Sequence, residues 1–366
     1  MIRDRIRAIA QYTLLFLLLL LLWLASGSEW ILGLLAFMIL ILPVSILVNL
    51  YVRKHIHGKL VLPTTAAKKT ACMGSIFLEN KAWLPAAKIY CRIGMINDLT
   101  GEENVLEIIS GLGPKRKSTR DFLLESEYCG RVYVYVQSVK ILDYWGLFAV
   151  NVPMKAAARI TILPELFSCD VAASPVCAVS DENVVSRKGE DRTEVFQLRE
   201  YRSGDDIRQI HWKLSSKLDK LIIREASQSV SRSLLVFWDK RDDATPENMD
   251  AMAEATVSIC QALCDKGVTY DLCWTEQDEL ELRQIRDADT LLQTIPALVT
   301  QRGTAECQTP NIAEYGRVIC ISANPFEEET DEKTVRLICS DMDFDDGRGI
   351  VFSSQNYAER LKRLEF

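Results

Sequence analysis

The sequence predicts a membrane-anchored, multidomain chain in three parts: two transmembrane α-helices, a small β-sandwich and an α/β unit on a mostly parallel sheet. Three observations carry this reading. Two long runs near the N-terminus lack charge, a middle stretch alternates apolar and polar residues with period two, and the last third alternates strand-like with helix-like segments. At 366 residues and 48% apolar, the chain is long enough for two or three units. A net charge of −7 argues against a dedicated nucleic-acid binder, which needs a concentrated basic face. Only Lys115, Arg116 and Lys117 form a locally basic stretch, which reads as a solvated hairpin tip.

The membrane unit is placed at 1–53. No charge occurs from Ala8 to Ser28, nor from Trp30 to Val52, and each run reaches the ~20 residues a helix needs to cross a bilayer. The second run holds Pro43, which a membrane helix absorbs as a kink. The link Ser26-Gly27-Ser28-Glu29 forces a tight helical hairpin, and a second span beginning at once is not the pattern of a cleaved signal peptide. Arg3, Arg5 and Arg7 precede the first span and Arg53, Lys54 and Lys59 follow the second, so both ends are expected in the cytoplasm of a multi-pass protein of the cell membrane. Tyr12, Trp23, Trp30 and Tyr51 stand near the run ends, where amphipathic rings favour the interface.

Residues 59–166 read as the sandwich. From Arg131 to Leu142, Val132, Val134 and Val136 alternate with Tyr133, Tyr135 and Gln137; shorter strands are expected at 75–78, 87–93, 105–109 and 159–163. Their spacing predicts an antiparallel sandwich, with Trp145 and Phe148 as core anchors. Residues 167–193 are polar and lack apolar periodicity, so they read as an exposed linker.

The final unit, 194–366, opens on a dense charged element. Between expected strands at Glu194 to Tyr201 and Lys220 to Glu225 lie Arg202, Asp205, Asp206, Arg208, His211, Trp212 and Lys213. Gly204 permits a turn, Asp205 or Asp206 can cap a helix, and Ile207, Ile210 and Leu214 are spaced to face a core. Beyond it, strands are expected at 234–238, 268–274, 318–322, 335–340 and 349–352. Thr245-Pro246 opens a helix whose core face is Met249, Met252, Thr256, Ile259, Cys260 and Leu263, closed at Lys266-Gly267; further helices are expected at 288–299 and 357–364. This alternation implies a mostly parallel sheet covered on both faces.

Chemistry is sparse. Eleven cysteines without a Cys-x-x-Cys pair suit buried thiols in a reducing compartment, and Cys260 and Cys264 lack a neighbouring histidine to complete a zinc set. The run Asp341-x-Asp343-x-Asp345-Asp346-Gly347 misses the glycine and glutamate an EF-hand loop requires and reads as a solvated acidic loop. Beyond His55 and His57 the single histidine is His211, with Ser215 and Ser216 close by but no nucleophile elbow; there is no Walker loop or dinucleotide fingerprint. No catalytic residue is assigned, and the chain is expected not to be an enzyme. Asp239 ends the first long strand of the α/β unit, at the sheet edge where ligands bind in such folds.

The order Arg199-x-Tyr201-x-x-Gly204-Asp205-x-x-Arg208-x-Ile210-x-Trp212-Lys213 closely resembles the signature of the domain of unknown function 58 family. The steps Cys129-Gly130-Arg131-x-Tyr133, Asp143 to Phe148 and Leu163-Pro164 are similar to what precedes that signature in family members. The resemblance implies an immunoglobulin-like sandwich and a von Willebrand factor A-like α/β domain. In the latter an Asp-x-Ser-x-Ser motif holds a divalent cation; this chain reads Asp239-Lys240-Arg241-Asp242-Asp243, with Arg241 and Asp243 where the hydroxyls would be. Asp239, Asp242 and Asp243 are thus candidate ligands for magnesium or calcium at a degenerate site. The resemblance also implies partners: a MoxR-type AAA+ ATPase in the cytosol and a transglutaminase-like membrane protein, besides the lipid bilayer itself. The expected function is a non-enzymatic membrane-anchored adaptor in membrane or envelope complex assembly, with Arg199, Tyr201, Arg202, Gly204, Asp205, Asp206, Arg208, Trp212 and Lys213 as signature and docking residues. The alternative is a divalent-cation-dependent ligand-binding domain of the von Willebrand factor A type.

Overall fold

The structure is a computed structural model describing residues 2–172, 196–200, 215–216, 220–226, 232–241, 244–277, 279–303, 309–323, 333–340 and 349–365. Two helices, α1 (Ile2–Ser26) and α2 (Glu29–Arg53), form the N-terminal hairpin around Gly27 and Ser28. Both are long and apolar enough to cross a membrane. The hydroxyl of Tyr12 donates to the carbonyl of Met38 at 2.6 Å and sets their antiparallel register. The last turns of α2 are not free, because Asn49 and Val52 are buried and Val52 joins the core of the following sheets.

Strand β1 (Ile56–Val61) starts three residues after α2 ends, so no linker separates hairpin from body. Eight further strands follow: β2 (Thr65–Ala67), β3 (Cys72–Asn80), β4 (Ala86–Asn97), β5 (Glu103–Leu112), β6 (Lys117–Leu124), β7 (Gly130–Leu142), β8 (Ala149–Val152) and β9 (Ala157–Leu163). They make a three-stranded sheet, β1-β3-β6, and a larger one, β2-β9-β7-β4-β5 with β8 against β7. Inward residues from both sheets, among them Ile76, Leu78, Phe122, Ile89, Ile93, Val134 and Ile141, share one core. Val132, Val134 and Val136 are buried as the alternation of β7 requires. One pair departs from the antiparallel expectation, since β2 runs parallel to β9. Trp145 is another correction. It is 51% exposed rather than a core anchor, because it stands in the turn between β7 and β8 and not on a strand that faces the core.

Asp170–Ala172 (β10) lies in the expected exposed linker but pairs in parallel with Arg363–Glu365 (β19), and Val171 is fully buried. The terminal helix consequently shortens to Tyr357–Arg360, because a three-residue strand pair satisfies the backbone that a longer helix would have claimed. Strands β11 (Phe196–Glu200) and β12 (Ile222–Ala226) pair antiparallel and flank the charged signature.

The α/β unit comprises β13 (Arg232–Trp238), α3 (Pro246–Asp265), β14 (Tyr270–Glu276), β15 (Glu279–Ile285), α4 (Ala288–Leu298), β16 (Tyr315–Ser322), β17 (Thr334–Cys339), β18 (Ile350–Phe352) and the short α5 (Tyr357–Arg360). The sheet order is β15-β14-β13-β16-β17-β18, parallel except for β15. Thr245 caps α3, its side chain accepting from the Asn248 amide behind Pro246, and Asp287 forms a capping box with Thr290 at α4. The sheet is mostly parallel and buried on both faces, the second through Leu235, Phe237, Cys273, Val318 and Cys320. Among the described residues α3 and α4 lie on the same face, packing on Leu234, Val236, Trp238, Leu272, Trp274 and Ile319. The unanticipated β15 is the reason: by running back along β14 it returns the chain to the amino end of the sheet, so α4 needs no crossover to the other side.

Candidate functional site

Strand β13 is central, with β14 on one side and β16 on the other, so the order reverses beside it. A ligand site in such a sheet belongs at its carboxyl end. There Asp239 is buried, and its carboxylate accepts from Arg241 Nε at 2.8 Å and Nη2 at 2.6 Å. A guanidinium bound in this two-pronged way occupies the lone pairs that a hard cation would need. Among the described residues no group of three His, Cys, Asp or Glu side chains could hold a metal ion. Asp242 and Asp243 lie outside the described residues.

Lys240 is fully buried. Its Nζ donates to the carbonyl of Leu298 at the end of α4 at 3.0 Å, and its amide donates to Thr275 Oγ1 at 2.7 Å. Burial pulls its pKa down to about 7 against the opposing pull of Glu276, and Arg131 lowers it further. A few ångströms away the sheet edge is closed by Gly303, whose amide donates to the Lys240 carbonyl at 3.2 Å, and by Arg302 and Gln277.

The other charged cluster sits where α3 meets the sandwich. Sequence periodicity assigns one face of α3 to the core, and Met249, Met252, Thr256, Ile259, Cys260 and Leu263 are all buried. The opposite face, Asp250, Glu254 and Ser258, is buried as well. Lys68, just past β2, donates to Asp250 and to Glu254 Oε1, the latter at 2.7 Å. The Cys129 amide donates to Asp250 Oδ1 at 2.7 Å, the Glu165 amide to Glu254 Oε1 at 3.2 Å, the Tyr357 hydroxyl to Glu254 Oε2, and the Phe167 amide to Ser258 Oγ at 3.1 Å. Burial alone would lower Lys68, but its hydrogen bonds to both carboxylates hold it above the ordinary lysine range. Asp250 is raised by burial in spite of its bonds to Lys68 and the Cys129 amide. Nearby, Leu99 of the β4–β5 turn and Cys129 are fully buried in the α/β core. Arg302 reaches back to the carbonyls of Leu99 at 2.7 Å and Thr100 at 3.0 Å. Sandwich and α/β unit therefore share one interior.

Of the signature residues, Arg199 is on β11, facing Ile223 of β12. Tyr201, Arg202, Gly204, Asp205, Asp206, Arg208, His211, Trp212 and Lys213 lie outside the described residues, as does the acidic run Asp341 to Gly347. Just beyond them Ser215 is buried, and its Oγ accepts from the Ile222 amide at 2.9 Å. Sequence reasoning passed over Lys68, Asp250 and Glu254, and read Lys240 only as part of the Asp239 to Asp243 run. The one available signal was the spacing of Glu247, Asp250, Glu254 and Ser258 along a single helix face. The nine described cysteines are all free.

The fold and site define a class: a sheet-rich body of two fused units behind an N-terminal apolar helical hairpin. A family model, protein of unknown function DUF58, matches residues 197–309, from β11 through the signature and on past α4. That segment is what this chain shares with the DUF58 family. No curated protein matches. Among solved structures, the CARDB domain of a Pyrococcus furiosus protein, in complex with di-metal ions, is 11% identical over 30% of this chain and 87% of its own, with a TM-score of 0.23. A β-glucosidase from Listeria innocua is 10% identical over 29% of this chain and only 16% of its own, with a TM-score of 0.23. A cohesin module from a Clostridium perfringens glycoside hydrolase is 8% identical over 29% and 96%, with a TM-score of 0.22. At such scores these likenesses carry no argument.

Proposed function

We propose that the protein is a non-enzymatic, membrane-anchored adaptor whose body is held stiffly on the cytoplasmic face of the cell membrane and docks a cytosolic partner. The observation that carries this reading is the joint between hairpin and body. Val52 of α2 is fully buried in the sandwich core, Ser45 Oγ donates to Asp143 Oδ2 at 2.9 Å, and Arg5 Nη2 donates to the Leu147 carbonyl at 3.1 Å. A joint with no linker transmits position and load between bilayer and body, which suits a scaffold. The basic residues at both outer ends of the hairpin support cytoplasmic orientation.

The two sheets around a single core support an immunoglobulin-like reading of the sandwich, and the parallel sheet with α3 after its central strand supports a von Willebrand factor A-like reading of the α/β unit. Family resemblance names a MoxR-type AAA+ ATPase as the partner, a transglutaminase-like membrane protein as a companion, and the signature residues as the docking feature. Affinity capture from detergent-solubilised native membranes tests this. The ATPase is expected with the wild-type protein and lost with Asp205→Ala/Arg208→Ala at unchanged circular dichroism; unchanged capture by the variant removes the docking role. The cation-dependent alternative has the Arg241 guanidinium on Asp239 against it.

A further inference from the structure

We infer that the turn between β7 and β8, Asp143 to Phe148, is a third membrane contact: an aromatic foot that seats the body in the interfacial layer of the bilayer. The inference rests on the reading that α1 and α2 span that bilayer.

The turn is built to a fixed shape. The Asp143 amide donates to the Phe148 carbonyl at 3.1 Å, the Phe148 amide returns to Asp143 Oδ1 at 2.9 Å, and Gly146 supplies a φ of +77°. Leu147 is buried, while Tyr144 and Trp145 are 63% and 51% exposed. Neither aromatic lies in the core, although this segment carries two of the bulkiest side chains in the sandwich unit.

Position explains the exposure. The turn is bonded to both helices at one level, through Arg5 on α1 and Ser45 on α2. The Tyr12 to Met38 bond puts residues 5 and 45 opposite each other in the same antiparallel register, since both pairs of numbers sum alike. Of the two boundaries the basic residues offer, the first places Arg5 and Arg7, and with them the turn, among the headgroups. The second, at Arg53 and Lys54, would carry Ser45, eight residues earlier in α2, about 12 Å deeper at 1.5 Å per residue and take Arg5 and Asp143 into hydrocarbon, which their charge opposes. At the first boundary Tyr144 and Trp145 meet the headgroup layer rather than bulk water. Rings with an apolar body and one polar edge are the side chains that favour this layer. The first boundary also agrees with the burial of Asn49 and Val52, which places the last turns of α2 inside the body. The occupant is therefore the glycerol and headgroup layer of the leaflet that the body faces.

Tryptophan quenching in the full-length protein, reconstituted into phosphatidylcholine vesicles brominated just below the headgroups, tests the inference. Wild type, Trp145→Phe and Trp30→Phe are compared; Trp30 stands at the hairpin bend and reports the span itself. The expected result is that both variants lose a share of the bromine-quenched emission. If Trp30→Phe loses its share and Trp145→Phe does not, the span stands and the foot is overturned. If neither loses a share, the span is overturned together with the foot. A Tyr144→Ser/Trp145→Ser variant adds a reading independent of fluorophore count. Its body is expected to release from the bilayer surface, seen as faster amide exchange at 143–148 in vesicles but not in detergent, and equal exchange in vesicles would also overturn the foot.

Discussion

Lys68 of the sandwich and Glu254 of α3, 186 positions apart in the chain, form a hydrogen-bonded ion pair of 2.7 Å with side chains only 4% and 1% exposed. Asp250 shares the same ammonium, so two buried carboxylates depend on one cation. Every remaining acceptor there is met by a backbone amide or the Tyr357 hydroxyl. A network this completely satisfied fixes one arrangement of the two units.

Removing its cation is expected to be costly. Lys68→Met leaves both carboxylates buried and unpaired and should destabilise by about 3–5 kcal/mol. The neutral triple variant Lys68→Met/Asp250→Asn/Glu254→Gln should recover part of the loss, because no charge then stays buried. Denaturant unfolding of the full chain in detergent reads both values; a triple variant weaker than the single one would reject the account.

Lys240 sets a dependence on pH. Its pKa is about 7 in the folded protein against about 10.4 in an unfolded chain. Between these values the unfolded state holds the extra proton, so this group makes stability rise with pH, and below about 7 its full cost applies, up to about 5 kcal/mol. Lys240→Met should flatten the slope from pH 7 to 10 and raise stability at pH 7. Thermal melts across that range give the slope directly.

Leu99 tests whether the two units share a core. It belongs to a sandwich turn but is fully buried against the α/β unit. Leu99→Ala should cost about 2–5 kcal/mol and lower one common transition. Two separated transitions in the variant, with the α/β transition unmoved, would contradict a shared interior.

The Asp239–Arg241 pair predicts how the sheet edge treats cations. Calorimetric titration of the wild type with magnesium or calcium should show no binding at this edge. Arg241→Ser supplies a hydroxyl and frees the carboxylate, and should gain a weak response that Asp239→Ala/Arg241→Ser loses. A wild-type signal abolished by Asp239→Ala would favour the cation-dependent reading.

Gly130 offers a local check on the sandwich. Its φ is +136°, and an added Cβ would meet Asn97 Oδ1 at 2.3 Å, where Asn97 Nδ2 donates to the Cys129 carbonyl. Gly130→Ala should destabilise by at least about 1–3 kcal/mol, measured by the same unfolding assay.

Much of the architecture was legible in local pattern. The charge-free runs gave α1 and α2, period-two alternation gave β7, and Thr245-Pro246 with Lys266-Gly267 bounded α3. Each is a signal confined to a few neighbouring residues. Strand β15 escaped because Glu279 to Ile285 carries charges on an edge that needs little apolar surface, and the pairing of β10 with β19 joins residues at opposite ends of the chain. The functional candidates split in the same way. The carboxyl end of β13 could be named from strand order, whereas Lys68 could not be matched to Asp250 and Glu254.

The amino-acid order by itself determined most of the helices and strands, where the apolar hairpin lies and which family the signature resembles, since those depend on periodicity, composition and spacing along the chain. Tertiary structure alone decided that α3 and α4 share one face, that Arg241 covers Asp239, that Lys240 is buried and that the polar face of α3 closes on Lys68. Those outcomes depend on which surfaces meet and lose water, and desolvation acts on contacts made across the fold rather than on neighbours in sequence.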